Sequence, residues 1–276
     1  MFDYHVHTTR SVDCHTLIEA SCEAAIRRGI TEIAFTDHVD FEPADEGYGF
    51  YDYAGFMADI DRVRQRFGDR LTILAGAEID FNTRTASQVA EFRGSHEFDF
   101  VIGSVHFGDG GEIIFPRYFA GRTLDEVFLP YYEHIQAAAE SGLFDTIGHL
   151  DLPQRYAPPE AGTYEPLRYE AQVRPIFQAI IDCGISFEIN TSGLRQAPKS
   201  TMPGLDLVRV FADMGGQTVT LGSDSHVAET IGAGFDTALA MLAEAGIPTV
   251  SSFRGGHRTL VPLESLTMDA VTAGGK

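Results

Sequence analysis

The chain has 276 residues, 44% of them hydrophobic, which is enough for a large core and compatible with one α/β domain of barrel type. A formal net charge of -20 excludes a nucleic-acid-binding surface, because the field would repel phosphate backbones, and any small phosphorylated ligand would need local cations, either metal ions or arginines. No apolar run approaches a membrane span, the N-terminus lacks the basic-then-apolar order of a secretory signal, and three scattered cysteines (Cys14, Cys22, Cys183) make neither a disulfide framework nor a Cys-based zinc site, so a cytoplasmic protein without membrane attachment is expected.

Strand-like apolar runs alternate with helical patterns along the chain, which predicts repeated βα units around a parallel sheet. The first strand is Tyr4–His7, where His5 and His7 point the same way because side chains alternate across a strand. Two imidazoles on one face can grip a metal ion. A helical stretch follows with Leu17, Ile18, Cys22, Ala25 and Ile26 on one face, closed by Gly29. The second strand, Glu32–Thr36, ends at Asp37-His38. A helix from Asp52 carries Tyr53, Phe56, Met57, Ile60, Val63 and Phe67 at helical spacing, and the third strand, Leu71–Ala75, ends at Gly76-Ala77-Glu78. A short helix around Ala86–Phe92 leads to the strand Phe98–Val105, which ends at His106. The helix Leu124–Ala139 precedes a strand ending in Gly148-His149.

A polar, proline-rich loop from Asp151 to about Glu165 is the longest irregular stretch and suits substrate contacts at a barrel mouth. The helix Tyr169–Asp182, with a kink expected at Pro175, runs into the strand Ser186–Asn190. The helix Leu205–Met214 leads to the strand Thr218–Leu221 and then to Gly222-Ser223-Asp224-Ser225-His226. A last helix, about Asp236–Ala245, and an extended tail to Leu263 close the chain. These are seven βα repeats, with no linker, charge block or low-complexity segment to divide them.

Polar metal-type residues stand at the C-terminal ends of six of the seven strands, the face where α/β barrels form active sites. In order they are His5, His7, His38, Glu78, His106, His149, Asp224 and His226. Imidazoles with one or two carboxylates suit zinc, iron or manganese, and the absence of a Cys ligand argues against a purely structural zinc. Eight groups exceed the needs of one ion. Two or three ions with Glu78 as a bridge is the economical reading, and clustered ions suit the hydrolysis of phosphate esters. Arg155 and Arg195 are the best-placed cations for a phosphate, because a planar guanidinium matches its oxygens in pairs; Arg117 and Lys199 are further candidates. Asp37 and Asp151 read as outer partners or turn residues, and Glu188 as an inward-facing polar residue. The aromatic segment Tyr48–Phe56 caps the barrel, packs a helix or lines the pocket.

Seven stretches resemble, in order, the polymerase-and-histidinol-phosphatase (PHP) superfamily of metal-dependent phosphoesterases, and most closely its histidinol-phosphate phosphatases. They are Asp3-Tyr4-His5-Val6-His7-Thr8, Phe35-Thr36-Asp37-His38, Gly76-Ala77-Glu78, Ile102-Gly103-Ser104-Val105-His106-Phe107, Ile147-Gly148-His149-Leu150-Asp151, Glu188-Ile189-Asn190-Thr191-Ser192-Gly193-Leu194-Arg195 and Gly222-Ser223-Asp224-Ser225-His226. The resemblance implies one domain over 1–276, a distorted TIM-like (β/α)7 barrel with three divalent metal ions. One ion would be held by His5, His7, Glu78 and Asp224; a second by Glu78, His106 and His149; a third by His38, His226 and a residue of the loop after the first strand. Spacing within the family favours Asp13 for that last place, with His15 as the alternative. Glu78, Asp224, Arg155 and Arg195 would form the catalytic set, and Asp40, Asp80 or Glu188 would recognise the amino group or imidazole of histidinol phosphate. The implied activity is hydrolysis of histidinol phosphate in histidine biosynthesis. A related phosphoesterase acting on another small phosphate and an inactive metal-binding barrel with a regulatory role are the alternatives. No surface stripe marks an interface, so the oligomeric state is left open.

Overall fold

The computed structural model of the chain describes residues 1–266. Seven strands form the path of one parallel sheet: β1 (Phe2–Val6), β2 (Glu32–Phe35), β3 (Thr72–Asp80), β4 (Phe100–Ser104), β5 (Thr146–Ile147), β6 (Ser186–Asn190) and β7 (Val219–Gly222), with the two-residue strand His38–Val39 paired to β3 as an eighth member. Each neighbours the next in chain order, and the sheet curls until β7 meets β1. That last seam is held by a single parallel bridge, Val6 to Ser225, with His7 N–H donating to Ser225 O at 3.0 Å and Ser225 N–H to His5 O at 3.3 Å. The result is a nearly closed (β/α)7 barrel, as expected from the alternation of periodicities.

The helices α1 (Ile18–Arg27), α2 (Tyr53–Phe67), α3 (Ala86–Ser95), α4 (Leu124–Glu140), α5 (Glu170–Cys183), α6 (Leu205–Asp213) and α7 (Phe235–Ala245) alternate with the strands. They form where apolar residues recur at helical spacing; in α2 that stripe is Phe56, Ile60, Val63 and Phe67, all buried. Side-chain caps set two of their starts: Asp52 accepts from Gly55 N–H at 3.1 Å ahead of α2, and Thr123 with Glu126 forms a capping box ahead of α4. α5 runs from Glu170 to Cys183 as one helix with Pro175 inside it. Among the described residues, no helix is long and apolar enough to cross a membrane.

Four local expectations change. β3 is longer than Leu71–Ala75 and carries Glu78 inside it rather than beyond its end, because it is paired on both sides there: Glu78 lies opposite Ile102 of β4 and opposite His38. The extended tail is an antiparallel hairpin, β8 (Thr249–Arg254) with β9 (His257–Pro262), separate from the barrel sheet. The loop from Asp151 to Glu165 contains two short 3-10 turns, Leu152–Arg155 and Pro159–Ala161. The segment Tyr48–Phe56 divides: Tyr48 and Phe50 are exposed, whereas Tyr51 packs against Phe56 and Phe92.

Register in β1 shifts between Asp3 and Val6, which marks a bulge in the first histidine-bearing strand. A bulge re-aims side chains. Here Tyr4 packs with Ala34, Leu74, Phe100, Ile102 and Phe253 at the N-terminal end of the barrel, while its immediate neighbour His5 reaches Glu78 at the other end. Phe253 comes from β8, and its N–H donates to the Tyr4 hydroxyl at 2.9 Å while that hydroxyl bonds Glu32. The hairpin therefore plugs one end of the barrel and leaves the other for the site.

Candidate metal centre

Five imidazoles converge on one carboxylate. Glu78 is held between His38 and β4 and is 1% exposed. Its Oε2 lies 3.1 Å from His5 Nε2, 3.5 Å from His7 Nε2 and 3.0 Å from His38 Nδ1; its Oε1 lies 2.9 Å from His149 Nε2 and 3.3 Å from His106 Nε2. Asp224 closes the far side, with Oδ1 3.7 Å from His7 Nε2, 4.0 Å from His5 Nε2 and 3.5 Å from His226 Nδ1. Asp224 has φ 50, a left-handed backbone that turns its carboxylate back over the end of β7. The turn is pinned by Asp3, whose Oδ1 accepts Ser223 N–H at 3.0 Å and whose Oδ2 accepts Gly232 N–H at 2.8 Å.

His149 Nε2 is hydrogen-bonded to Glu78 Oε1; the other contacts are close without being hydrogen bonds. His5 Nε2, His7 Nε2, His38 Nδ1, His226 Nε2 and Glu78 Oε2 are all buried and have no aligned hydrogen-bond partner. Buried polar atoms are ordinarily satisfied, so a cluster of orphans pointing at common centres fits coordination of cations. Four overlapping groups have ligand atoms within 4.8 Å of one another: His7, His38 and His226; His5, His7 and Asp224; His5, Glu78 and His149; His38, Asp40 and His106. Nitrogen and carboxylate donors without thiolates suit zinc, manganese or iron.

The electrostatics of the cluster are lopsided. Burial pushes the His5 imidazole down, but the fields of Glu188, Glu78 and Asp224 together carry it well above its ordinary value. His7 goes the other way: burial lowers it, and His226, His38 and His5 lower it further. Burial alone would raise Glu78, yet His5, His106 and His38 hold it well below the carboxylate range. A divalent cation would take the lone pairs of these imidazoles in place of protons, so that the rings bind it in their neutral form.

The backs of two of the imidazoles are also held. His5 Nδ1 lies 2.6 Å from Glu188 Oε1. His7 Nδ1 lies 2.9 Å from the Ser11 hydroxyl, which donates to Asp37 Oδ1 at 2.8 Å; Asp37 also takes Thr8 N–H at 2.6 Å and Thr8 Oγ at 2.8 Å. Ser11 escapes a sequence reading because it lies in a loop and carries no charge.

A cavity of about 290 Å³ opens above the cluster and is lined by Asp13, His38, Asp40, Glu78, His106, His149, Arg155, Asp224 and His226, among others. Asp13 Oδ2 stands 3.1 Å from His226 Nε2 and 3.7 Å from His38 Nε2, whereas His15 is exposed and does not line the cavity. Arg155 projects from the 3-10 turn after His149; its Nη1 donates to Asp224 Oδ2 at 3.0 Å and Ser192 Oγ at 3.3 Å, and its Nε is buried without a partner. Arg195 is not on the cavity wall: its Nη2 donates to Ser223 O at 2.6 Å, behind the Asp224 turn. Arg117 is exposed and paired with Glu112, and Lys199 is exposed on its loop at φ 54; neither lines the cavity. Of the three acids considered for a cationic substrate group, Asp40 alone lines the cavity, its carboxyl pushed up to about 6 by burial. Asp80 faces the backbone instead, accepting His106 N–H at 2.6 Å.

Comparison with known proteins follows the same stretches. The PHP domain model matches residues 3–192. A protein of Deinococcus radiodurans named "probable histidinol-phosphatase" is 31% identical over 274 residues, spanning 94% of this chain and 98% of that relative. The histidinol-phosphatase of Lactococcus lactis is 29% identical, spanning 92% of this chain and 94% of its own length. The crystal structure of histidinol phosphate phosphatase from Lactococcus lactis, complexed with zinc, L-histidinol and phosphate, is similar with a TM-score of 0.86 at 26% identity, covering 94% of this chain and 98% of that one.

Proposed function

The chain belongs to the PHP domain family, and we propose that it is a metal-dependent phosphomonoesterase that hydrolyses L-histidinol phosphate to L-histidinol and phosphate. The observation that carries this reading is the convergence of five imidazoles on Glu78 beneath a cavity that Arg155 overhangs. The names of the relatives supply the substrate, and the bound histidinol and phosphate of the structural neighbour are of a size that a cavity of about 290 Å³ accommodates.

In this reading three divalent ions are held, one by His5, His7, Glu78 and Asp224, one by Glu78, His106 and His149, and one by Asp13, His38 and His226. When bound, such ions supply the concentrated positive charge and Lewis acidity that phosphate-ester hydrolysis requires. The chain's own groups do the rest. Arg155 is fixed by Asp224 and Ser192 through one nitrogen, which leaves the remainder of its guanidinium for the phosphate. Arg195 acts indirectly, by holding the Ser223 carbonyl so that Asp224 keeps its left-handed turn. Asp40 is the acid on the wall and suits the ammonium or imidazole of the substrate. We assign the activity to a single domain spanning the chain and to the cytoplasm, where the free thiols Cys14, Cys22 and Cys183 stay reduced.

The test is phosphate release from a panel of phosphomonoesters that includes histidinol phosphate, with metal analysis of the same preparation. Turnover concentrated on histidinol phosphate with about three ions per chain is expected. Preference for another phosphate would replace the substrate, and a metal-loaded chain inert on the whole panel would overturn the enzymatic reading.

A further inference from the structure

We propose that Glu188 is a positioning residue that commits His5 and His149 to the metal centre. The inference rests on the metal-binding reading of the site, and not on the choice of substrate.

Glu188 lies on β6, beside β5, which His149 follows, and one strand removed from β1, which carries His5; it is 1% exposed. It has no place on the cavity wall. Its Oε1 is 2.6 Å from His5 Nδ1, while its Oε2 accepts the His149 backbone N–H at 2.8 Å and Asn190 Nδ2 at 3.1 Å. An ionised carboxylate only accepts hydrogen bonds, so the proton on the His5 ring is drawn to Nδ1. The lone pair is then left on Nε2, the atom that faces Glu78 Oε2 at 3.1 Å. One carboxylate thus selects the tautomer of one imidazole and anchors the main chain from which a second one hangs.

The surrounding strands make room for this carboxylate. A Cβ on Gly222 of β7 would overlap Glu188 Oε1 and stand only 2.6 Å from His5 Cβ. Gly222 is opposite Asn190 in the β6–β7 register, so a side chain there would fill the space behind His5. The missing side chain at Gly222, on the strand next to β6, leaves a seat for one charged group. A merely structural polar residue would not need acceptors aimed at both a ring nitrogen and the backbone of separate ligating residues.

Gln in place of Glu188 retains the shape but has one acceptor atom for three donors. Its oxygen can serve His5 or the His149 N–H with Asn190, never both, and its amide facing His5 would favour a proton on Nε2. The experiment uses the full chain stripped of metal, titrated with zinc against a chromophoric chelator, together with thermal melting of the metal-free form. Glu188→Gln is expected to weaken zinc binding by about 10- to 100-fold while metal-free melting stays near that of the parent. Zinc affinity and stoichiometry equal to the parent's would overturn the proposal, as would a variant whose only change is lower metal-free melting. Should the variant fail to fold, the parent decides: in the zinc-loaded chain, nitrogen NMR of His5 is expected to show the proton on Nδ1, and a proton on Nε2 would overturn the proposal. No phosphate ester enters these measurements, so an error in substrate does not reach them; a parent that takes up no zinc removes both this inference and the metal reading beneath it.

Discussion

At the N-terminal ends of the strands Tyr4, Ala34, Leu74, Phe100 and Ile102 close around Phe253 of the hairpin, with ring centroids 4.9 Å apart for Tyr4 and Phe100 and again for Phe100 and Phe253. A few residues further along the same strands stand His5, Glu78, Ser104 and His106, and beside them the buried orphans of the candidate metal centre. Hydroxyl pairs join the early parts of neighbouring strands, with Thr146 and Thr220 3.1 Å apart and Ser186 2.9 Å from Ser251 of the hairpin. The lower region follows the rules of a core: apolar, dense and satisfied. The upper one breaks them, crowding imidazoles and leaving polar atoms unpaired. Stability and function are therefore divided along the barrel axis, and the departure from core-like chemistry marks where the work is done.

That division can be broken at either end. Glu78→Gln should cause the largest loss, reducing turnover by roughly 10²- to 10³-fold or more together with metal content, while far-ultraviolet circular dichroism stays native. Undiminished metal stoichiometry would contradict a bridging role for Glu78. Phe253→Ala should act in the opposite sense. It empties an aromatic site at the plug and should cost about 3–5 kcal/mol in denaturant unfolding, with KM and metal content of the folded fraction unchanged. A change in KM would mean that the two ends are coupled and the division is false.

The smallest effect tests the lower end by pH. Asp145 enters β5, accepts Val101 N–H at 2.8 Å, and has its pKa raised by burial. A carboxyl raised in the folded state costs nothing below the ordinary value of about 4, where both states are protonated. It costs stability progressively as pH climbs from there through the folded value, because the unfolded chain releases its proton first. Asp145→Asn should therefore melt higher relative to the parent at pH 7 than at pH 4. An equal difference at both would show that Asp145 does not titrate in this sense.

Much of the upper end is legible in the sequence because each group there terminates an apolar run, so that His38, His106, His149 and Asp224 announce themselves by position. Glu78 is legible as a residue but not as part of a strand, since the added pairing with His38 depends on a chain segment forty residues earlier. Glu188 reads only as an inward polar residue, because its two partners, His5 and His149, come from distant parts of the chain. Arg155 and Arg195 look equivalent as isolated arginines after strand ends. Their difference, one over the cavity and one behind a turn, is decided by the two 3-10 turns that carry them. The lower end is the least legible: nothing in the extended tail announces that Phe253 folds back under Tyr4, and regular alternation in Tyr4–His7 hides the bulge that lets neighbouring residues serve opposite ends.

The seam between β1 and β7 gives the site a mechanical meaning. Barrels remove exposed edges by closing, yet here closure rests on one bridge, Val6 to Ser225. His5 and His7 lie on one side of that seam and Asp224 and His226 on the other: Asp224 Oδ1 is 3.7 Å from His7 Nε2 and 4.0 Å from His5 Nε2, and the His7 and His226 rings stack with centroids 4.1 Å apart. An ion taken by residues from both lips would act as a rivet, joining the first strand of the chain to the last of the barrel. The reactive centre and the clasp of the barrel would then be one object, and loading the metal would be the final step in closing the fold.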